Sequence, residues 1–252
     1  MAANLPLPPW LRSVLAGPAV LGVTGAVSAA VAVLTFVDEK APDPLLFRWA
    51  DSMLRLSGVR TAARGLEHLP EGNFILCVNH QSNFDAMVLF RHIHRHLRFV
   101  AKSQLRRVPV FGYALERAGN IIVDRRGTSA DRERINEAVR KVRERVSVVF
   151  FAEGTRSEDG TLLPFKKGAA VLALEAQVPL VPAAVAGTHR IMEKGSGRIH
   201  PRPAALVVGP PLPTAGLGLE ARDELTRQAH AAVAGLLEEA NGMVRELERE
   251  GG

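Results

Sequence analysis

The chain of 252 residues contains a single cysteine, Cys77, so no internal disulfide can brace the fold, and a lone thiol suits a reducing compartment. Aromatic side chains make up only 5% of the residues, and neither zinc-finger spacing nor an RNA-binding signature occurs. The net charge of +6 and pI near 10.1 therefore point away from nucleic acid and towards an anionic lipid surface or a phosphorylated ligand. No G-x-S-x-G elbow is present, which excludes the common serine-hydrolase arrangement, and Gly195-Ser196-Gly197 lacks the phosphate-loop pattern. His92, His94 and His96 invite a metal, but they fall near an expected helix end where cations suit the local dipole. Neither a metal nor a cofactor is expected.

What the chain does have is a set of short apolar runs, each followed by polar residues. Asn73-Phe74-Ile75-Leu76-Cys77-Val78 follows the turn-like Pro70-Glu71-Gly72 and reads as a buried strand, with Cys77 as a packing residue in its middle. His80 then falls where the strand ends. Ser82 and Asn83 are good helix N-caps, and Phe84, Ala86, Met87, Val88 and Leu89 open a helix. On one continuous helix His80 and Asp85 would stand about 140° apart. A bend between strand and helix removes that obstacle. The carboxylate can then accept a hydrogen bond from one imidazole nitrogen while the other takes a proton from a substrate hydroxyl. Taken alone, such a pair is more often a structural hydrogen bond.

A second strand, Val146 to Phe151, leads directly into Glu153-Gly154-Thr155-Arg156-Ser157. Glycine lets the backbone approach a ligand, and the guanidinium offers a fork matched to phosphate. A polar turn with an internal Glu-Arg pair is the competing interpretation. Gly119-Asn120-Ile121-Ile122-Val123-Asp124-Arg125-Arg126 is a third run that delivers charge at its end, and Val181-Pro182-Ala183-Ala184-Val185 is a fourth. Ligands of open α/β sheets gather outside the carboxyl ends of strands. The expected fold is α/β, with a mixed, largely parallel central sheet flanked by helices.

These four blocks, in this order, resemble the glycerolipid acyltransferase family, whose best-known members acylate lysophosphatidic acid; the match runs roughly from Ala63 to Pro211. The resemblance implies that His80 is the general base and Asp85 its orienting partner. It assigns Arg125, Glu153, Gly154, Thr155 and Arg156 to the phosphorylated acceptor, adds Lys102 as a further cation, and gives the valine-proline block to acyl-chain placement or packing. Gln104 stands where glutamate is common, and Ala152 replaces a frequent proline. The implied reaction moves an acyl group from an acyl-CoA or acyl carrier protein thioester to 1-acylglycerol-3-phosphate, giving phosphatidic acid. Glycerol-3-phosphate or another lysolipid as acceptor, or a catalytically silent lipid-binding relative, are the alternatives. Backbone amides near Ser82 to Asp85 are the expected oxyanion donors.

Ser13 to Val37 carries no ionisable side chain, and as a helix it would reach about 37 Å, against about 30 Å for a hydrocarbon core. A membrane span, two interfacial helices and a cleaved signal peptide are the three interpretations weighed. Only Arg12 precedes the segment, whereas Lys40, Arg48, Arg55, Arg60 and Arg64 follow it, so the catalytic domain is expected on the cytoplasmic side, with membrane lipid as a partner. Pro44 to Val59 is amphipathic and suits either membrane docking or packing on the core. Residues 1–60 are thus expected to form membrane-anchoring or membrane-docking helices, and residues 61–252 the α/β acyltransferase domain. Further strands are expected at Arg98 to Ala101, Val178 to Ala186 and Ala204 to Val208. Helices are expected at Pro109 to Ala118, Thr128 to Arg145 and Glu220 to Arg249. Lys166 and Lys167 form a cationic helix start beside the Glu153 turn, with plain exposure as the simpler explanation.

Overall fold

The computed structural model describes the backbone of residues 9–123 and 129–251 and the side chains of residues 22–122 and 137–251. Among the described residues seven strands form one sheet: β1 (Thr61–Arg64), β2 (Ile75–Val78), β3 (Leu97–Lys102), β4 (Ile121–Val123), β5 (Ser147–Phe151), β6 (Leu180–Ala186) and β7 (Ala204–Val208). Their spatial order is β1-β7-β6-β2-β5-β3-β4. From β6 to β4 every pair is parallel; β7 runs antiparallel to β6, and β1 runs parallel to β7. Parallel neighbours need a long crossover, whereas β6 and β7 are joined by an irregular link with no α-helix, which suits an antiparallel return.

Among the described residues seven α-helices accompany the sheet: α1 (Pro9–Leu34), α2 (Asp43–Leu56), α3 (Phe84–His92), α4 (Phe111–Arg117), α5 (Ser129–Glu144), α6 (Gly168–Ala176) and α7 (Arg222–Arg249). β2 and β6 are buried along their whole length, which explains why their sequences are continuous apolar runs rather than alternating ones. Leu76 and Val78 pack on one face with Met53 of α2 and Val88 of α3, while Ile75 and Cys77 pack on the other with Leu172 of α6. Burial pushes the Cys77 thiol up to about 12, so it stays protonated and unreactive.

β1 was not expected from the sequence. Its first three residues are only partly buried, Arg64 is exposed, and there is no apolar run; the strand exists because β7 offers it an edge. α2 sends Ala50, Met53 and Leu54 into the core, so the amphipathic second segment is packed on the α/β unit, with Leu56 left exposed. Its buried Asp43 accepts from His96 Nδ1 at 2.6 Å and from the buried Arg98 at 2.9 Å. Val31 and Ala32 of α1 pack against Ala114 and Ala118 of α4. Among the described residues no helix is long and apolar enough to cross a membrane. The three histidines also part company: His92 bonds Thr61, His94 makes a tilted ring contact with Phe47, and His96 holds Asp43. Among the described residues no group of side chains could hold a metal.

Candidate active site

The site begins where β2 stops. The Asn79 side chain donates to the Val185 carbonyl at 2.9 Å and accepts the Val185 N–H at 2.8 Å, fastening the end of β2 to the end of β6. The chain then leaves the sheet at His80 and re-enters regular structure at α3, so the bend inferred from the sequence is present. It brings His80 Nδ1 to 2.7 Å from Asp85 Oδ2. The same oxygen accepts the Gln81 N–H at 2.7 Å and the Ser82 N–H at 3.0 Å, and Oδ1 accepts the Thr188 hydroxyl. Asp85 is fully buried. An oxygen already accepting two amide protons is an acceptor for the ring as well, so the proton of the neutral imidazole sits on Nδ1 and the lone pair on Nε2.

Three further contacts fix the histidine. Its ring stacks on Phe151, with centroids 4.0 Å apart. Its carbonyl accepts the Ser157 N–H at 2.8 Å. Its N–H donates to Glu153 Oε1 at 2.5 Å, and Glu153 Oε2 accepts the Leu163 N–H at 3.1 Å. Both oxygens of Glu153 are thus engaged by backbone amides, and among the described residues it makes no ion pair with Arg156. This alters the role implied by the resemblance: Glu153 holds the backbone of the histidine turn, because a buried carboxylate facing two N–H groups is an acceptor for the protein itself. Burial pushes its carboxyl up to about 7, against the pull of the two amides, and the neighbouring charge of Asp85 adds to the rise.

Gly154 adopts the left-handed region, with φ of 71°, and carries the chain on to Thr155 and Arg156. Those three residues and Lys102, at the end of β3, line one cavity of about 670 Å³ together with His80. Much of the remaining lining is apolar. Val31, Trp49, Phe90 and Ala114 represent α1, α2, α3 and α4, and Phe99 and Phe151 come from the strands. Lys194 also lines the cavity and pairs with Glu158 at 3.1 Å. Arg125 lies outside the described residues. Lys167 pairs with Asp223 at 2.8 Å, and Lys166 lines a separate hollow behind Glu153 and Gly154. The amide of Ala152 donates to the Val78 carbonyl at 2.9 Å, a bond that the commoner proline could not make. Of the amides expected to serve an oxyanion, that of Ser82 is spent on Asp85, as is the neighbouring Gln81 amide, and that of Asp85 on the Ser82 carbonyl. The N–H groups of Asn83 and Phe84 have no partner among the described residues.

Sequence reasoning missed three residues. The buried Gln81 donates to the Gly160 carbonyl at 3.1 Å, and its side-chain oxygen accepts from His189 Nδ1 at 3.1 Å. Burial lowers the pKa of His189, helped by the Arg190 charge and opposed by Asp159 and Asp85. Thr188, its neighbour, holds Asp85. The available signal was their place: Gly187-Thr188-His189 directly follows the apolar run of β6, at the same carboxyl edge as the other blocks.

A family model described as Acyltransferase matches residues 60–186. A Limnanthes alba protein named 1-acyl-sn-glycerol-3-phosphate acyltransferase is 35% identical over 176 residues, covering 69% of this chain and 62% of the relative. The Homo sapiens protein named 1-acyl-sn-glycerol-3-phosphate acyltransferase alpha is 34% identical over 164 residues, 64% of this chain and 58% of that protein. The chain therefore spans about three-fifths of the length of these curated relatives. The crystal structure of the 1-acyl-sn-glycerophosphate (LPA) acyltransferase PlsC from Thermotoga maritima shares the fold, with a TM-score of 0.78, 23% identity and coverage of 92% of this chain and 97% of that one. With its histidine turn, its Glu153 turn and half of its length inside the matched region, this chain belongs to the acyltransferase family.

Proposed function

We propose that the chain transfers an acyl group from a thioester, acyl-CoA or acyl carrier protein, to the free hydroxyl of 1-acylglycerol-3-phosphate, giving phosphatidic acid. The observation that carries this is a single arrangement: a histidine with Nδ1 pinned by a buried carboxylate, on a cavity lined by Lys102 and Arg156 and by many apolar side chains. His80 Nε2 takes the hydroxyl proton as the oxygen attacks the thioester carbonyl. The tetrahedral oxyanion lies against the Asn83 and Phe84 amides at the start of α3. Collapse expels the thiolate, which recovers the proton from the imidazolium. Asp85 keeps the ring in one tautomer and stabilises its charged form. Lys102 and Arg156, with Arg125, bind the acceptor phosphate, and the apolar walls take an acyl chain. The names of the relatives point to the same acceptor.

The test is transfer from labelled acyl-CoA to lysophosphatidic acid in detergent, wild type against His80→Ala, followed by carrier-protein donors, glycerol-3-phosphate and other lysolipids. Loss of transfer in the variant supports the base and the acceptor together; a folded wild type silent on the whole panel would overturn the assignment in favour of lipid binding without turnover. The exposed Val33, Phe36 and Val37 at the end of α1, with the net positive charge, support attachment to the cytoplasmic face of an anionic membrane. Flotation of the full chain with phosphatidylglycerol vesicles tests this, and protein that stays at the bottom of the gradient speaks against it.

A further inference from the structure

β6 ends at Ala186, and the next residue, Gly187, has φ of 86°. A Cβ at that position would lie 2.5 Å from the Pro203 carbonyl oxygen, so the bend needs glycine. The bend turns the following residue back towards the turn between β2 and α3. Thr188 is completely buried there, and its hydroxyl donates to Asp85 Oδ1. Its other polar neighbour, Gln81 Oε1, is farther away at 3.5 Å. A hydroxyl has one proton, and the nearer, charged acceptor takes it.

We infer that Thr188 is a positioning residue for the His80–Asp85 pair. The two oxygens of Asp85 are served from different parts of the chain. Oδ2 is held by the local turn through Gln81 and Ser82, whereas Thr188 is the sole donor to Oδ1 among the described residues. With both oxygens held, the carboxylate cannot swing about its Cβ–Cγ bond, and Oδ2 stays aimed at Nδ1–H. The hydroxyl also withdraws negative charge from the carboxylate and so limits how strongly Asp85 stabilises an imidazolium. Thr188 does not line the cavity that holds His80, Lys102 and Arg156, so its effect on substrate passes through Asp85 alone.

Thr188→Val keeps the shape and removes the hydroxyl, and Thr188→Ser restores it. The carboxylate of the valine variant bears its charge with one donor fewer, so the imidazolium gains stability and the protonation midpoint of His80 rises. NMR titration of labelled histidine, with the His80 signal identified by its absence in His80→Gln, reads this without any substrate. The expected shift is upward by about half a unit to one unit in Thr188→Val and much smaller in Thr188→Ser. In acyl transfer, where the inference rests on the proposed function, kcat of Thr188→Val should fall about 10- to 100-fold with KM changed less than about twofold, and the acid limb of the pH profile should move to higher pH. Serine should recover most of both.

A folded valine variant with an unmoved His80 midpoint would overturn the inference, as would a serine variant that behaves like valine. If the valine variant does not fold, Thr188→Cys, a weaker donor of similar size, should give a smaller shift in the same direction, and no shift there also overturns it. A shifted midpoint in a protein with no transfer on any acceptor would uphold the positioning role and count against the proposed reaction instead.

Discussion

Around His80 the protein supplies its own partners: Asp85 for the ring, Glu153 for the N–H, Ser157 for the carbonyl and Phe151 for the ring face. On the same cavity, the side chains of Lys102 and Arg156 make no hydrogen bond or ion pair among the described residues. The first region is saturated, the second is not. A general base must hold one tautomer and one direction before the substrate arrives, and self-contained bonds achieve that without reorganisation during the reaction. A phosphate site has the opposite need, because a cation already neutralised by a carboxylate would have to give up that partner in order to bind. Substitutions in the first region should therefore act on the rate of the chemical step and on folding, and those in the second on acceptor affinity.

The largest effect is expected from His80→Ala, which should lower kcat by about a thousandfold while the protein remains folded, as measured by labelled acyl transfer and circular dichroism. A loss below about tenfold would remove the histidine from the saturated region's chemistry. Asp85→Asn follows. It places an amide NH₂ or a lone oxygen where three donors converge, so a roughly hundredfold fall in kcat should come with a loss of about 1–3 kcal/mol in unfolding free energy by urea titration. Arg156→Ala should show the reverse pattern. KM for the phosphorylated acceptor should rise about tenfold, with kcat and stability little altered, and the variant should match wild type on an acceptor lacking the phosphate. If Arg156→Ala instead lowered kcat on both acceptors alike, the division between the two regions would fail.

The same division marks what the sequence could reveal. β2, β5 and β6 lie in the middle of the sheet, and strands covered by helices on both faces become continuous apolar runs that can be seen without a structure. β1 escaped because its four residues, none of them buried, owe their conformation to the edge of β7, far along the chain. At the site, His80 and Asp85 were legible because five residues and one bend contain the whole relation. Glu153 was legible as a site residue but not in its role, since nothing in E-G-T-R says that the amide of His80, 73 positions away, comes to meet its carboxylate. Thr188 and His189 depend on contacts spanning 103 and 108 positions, and they stood in no block that a local pattern would single out. Position at the carboxyl edge was legible, but partnership across the edge required the fold.

The smallest expected effect concerns the Glu153 carboxylate and measures how closed the saturated region is. Glu153 is only 3% exposed, and its carboxyl is raised from 4.5 to about 7 mainly by burial. A group whose folded pKa lies above its unfolded value binds more protons in the folded state between the two. Below about 4.5 the carboxyl is protonated in both states; as the pH climbs through the window to about 7, the unfolded chain releases the proton while the folded protein retains it, and this contribution to stability declines. Glu153→Gln offers one acceptor oxygen to the two amides, a fixed loss that does not depend on pH. Wild-type stability minus that of Glu153→Gln should therefore shrink between pH 4.5 and 7 and level off above that, as read from urea midpoints and slopes at matched pH. A flat difference across the window would mean that solvent reaches the carboxylate and that the base is framed less tightly than its hydrogen bonds suggest. A difference that closes with rising pH would place a titrating group directly on the backbone of the histidine, tying the stability of that turn to pH.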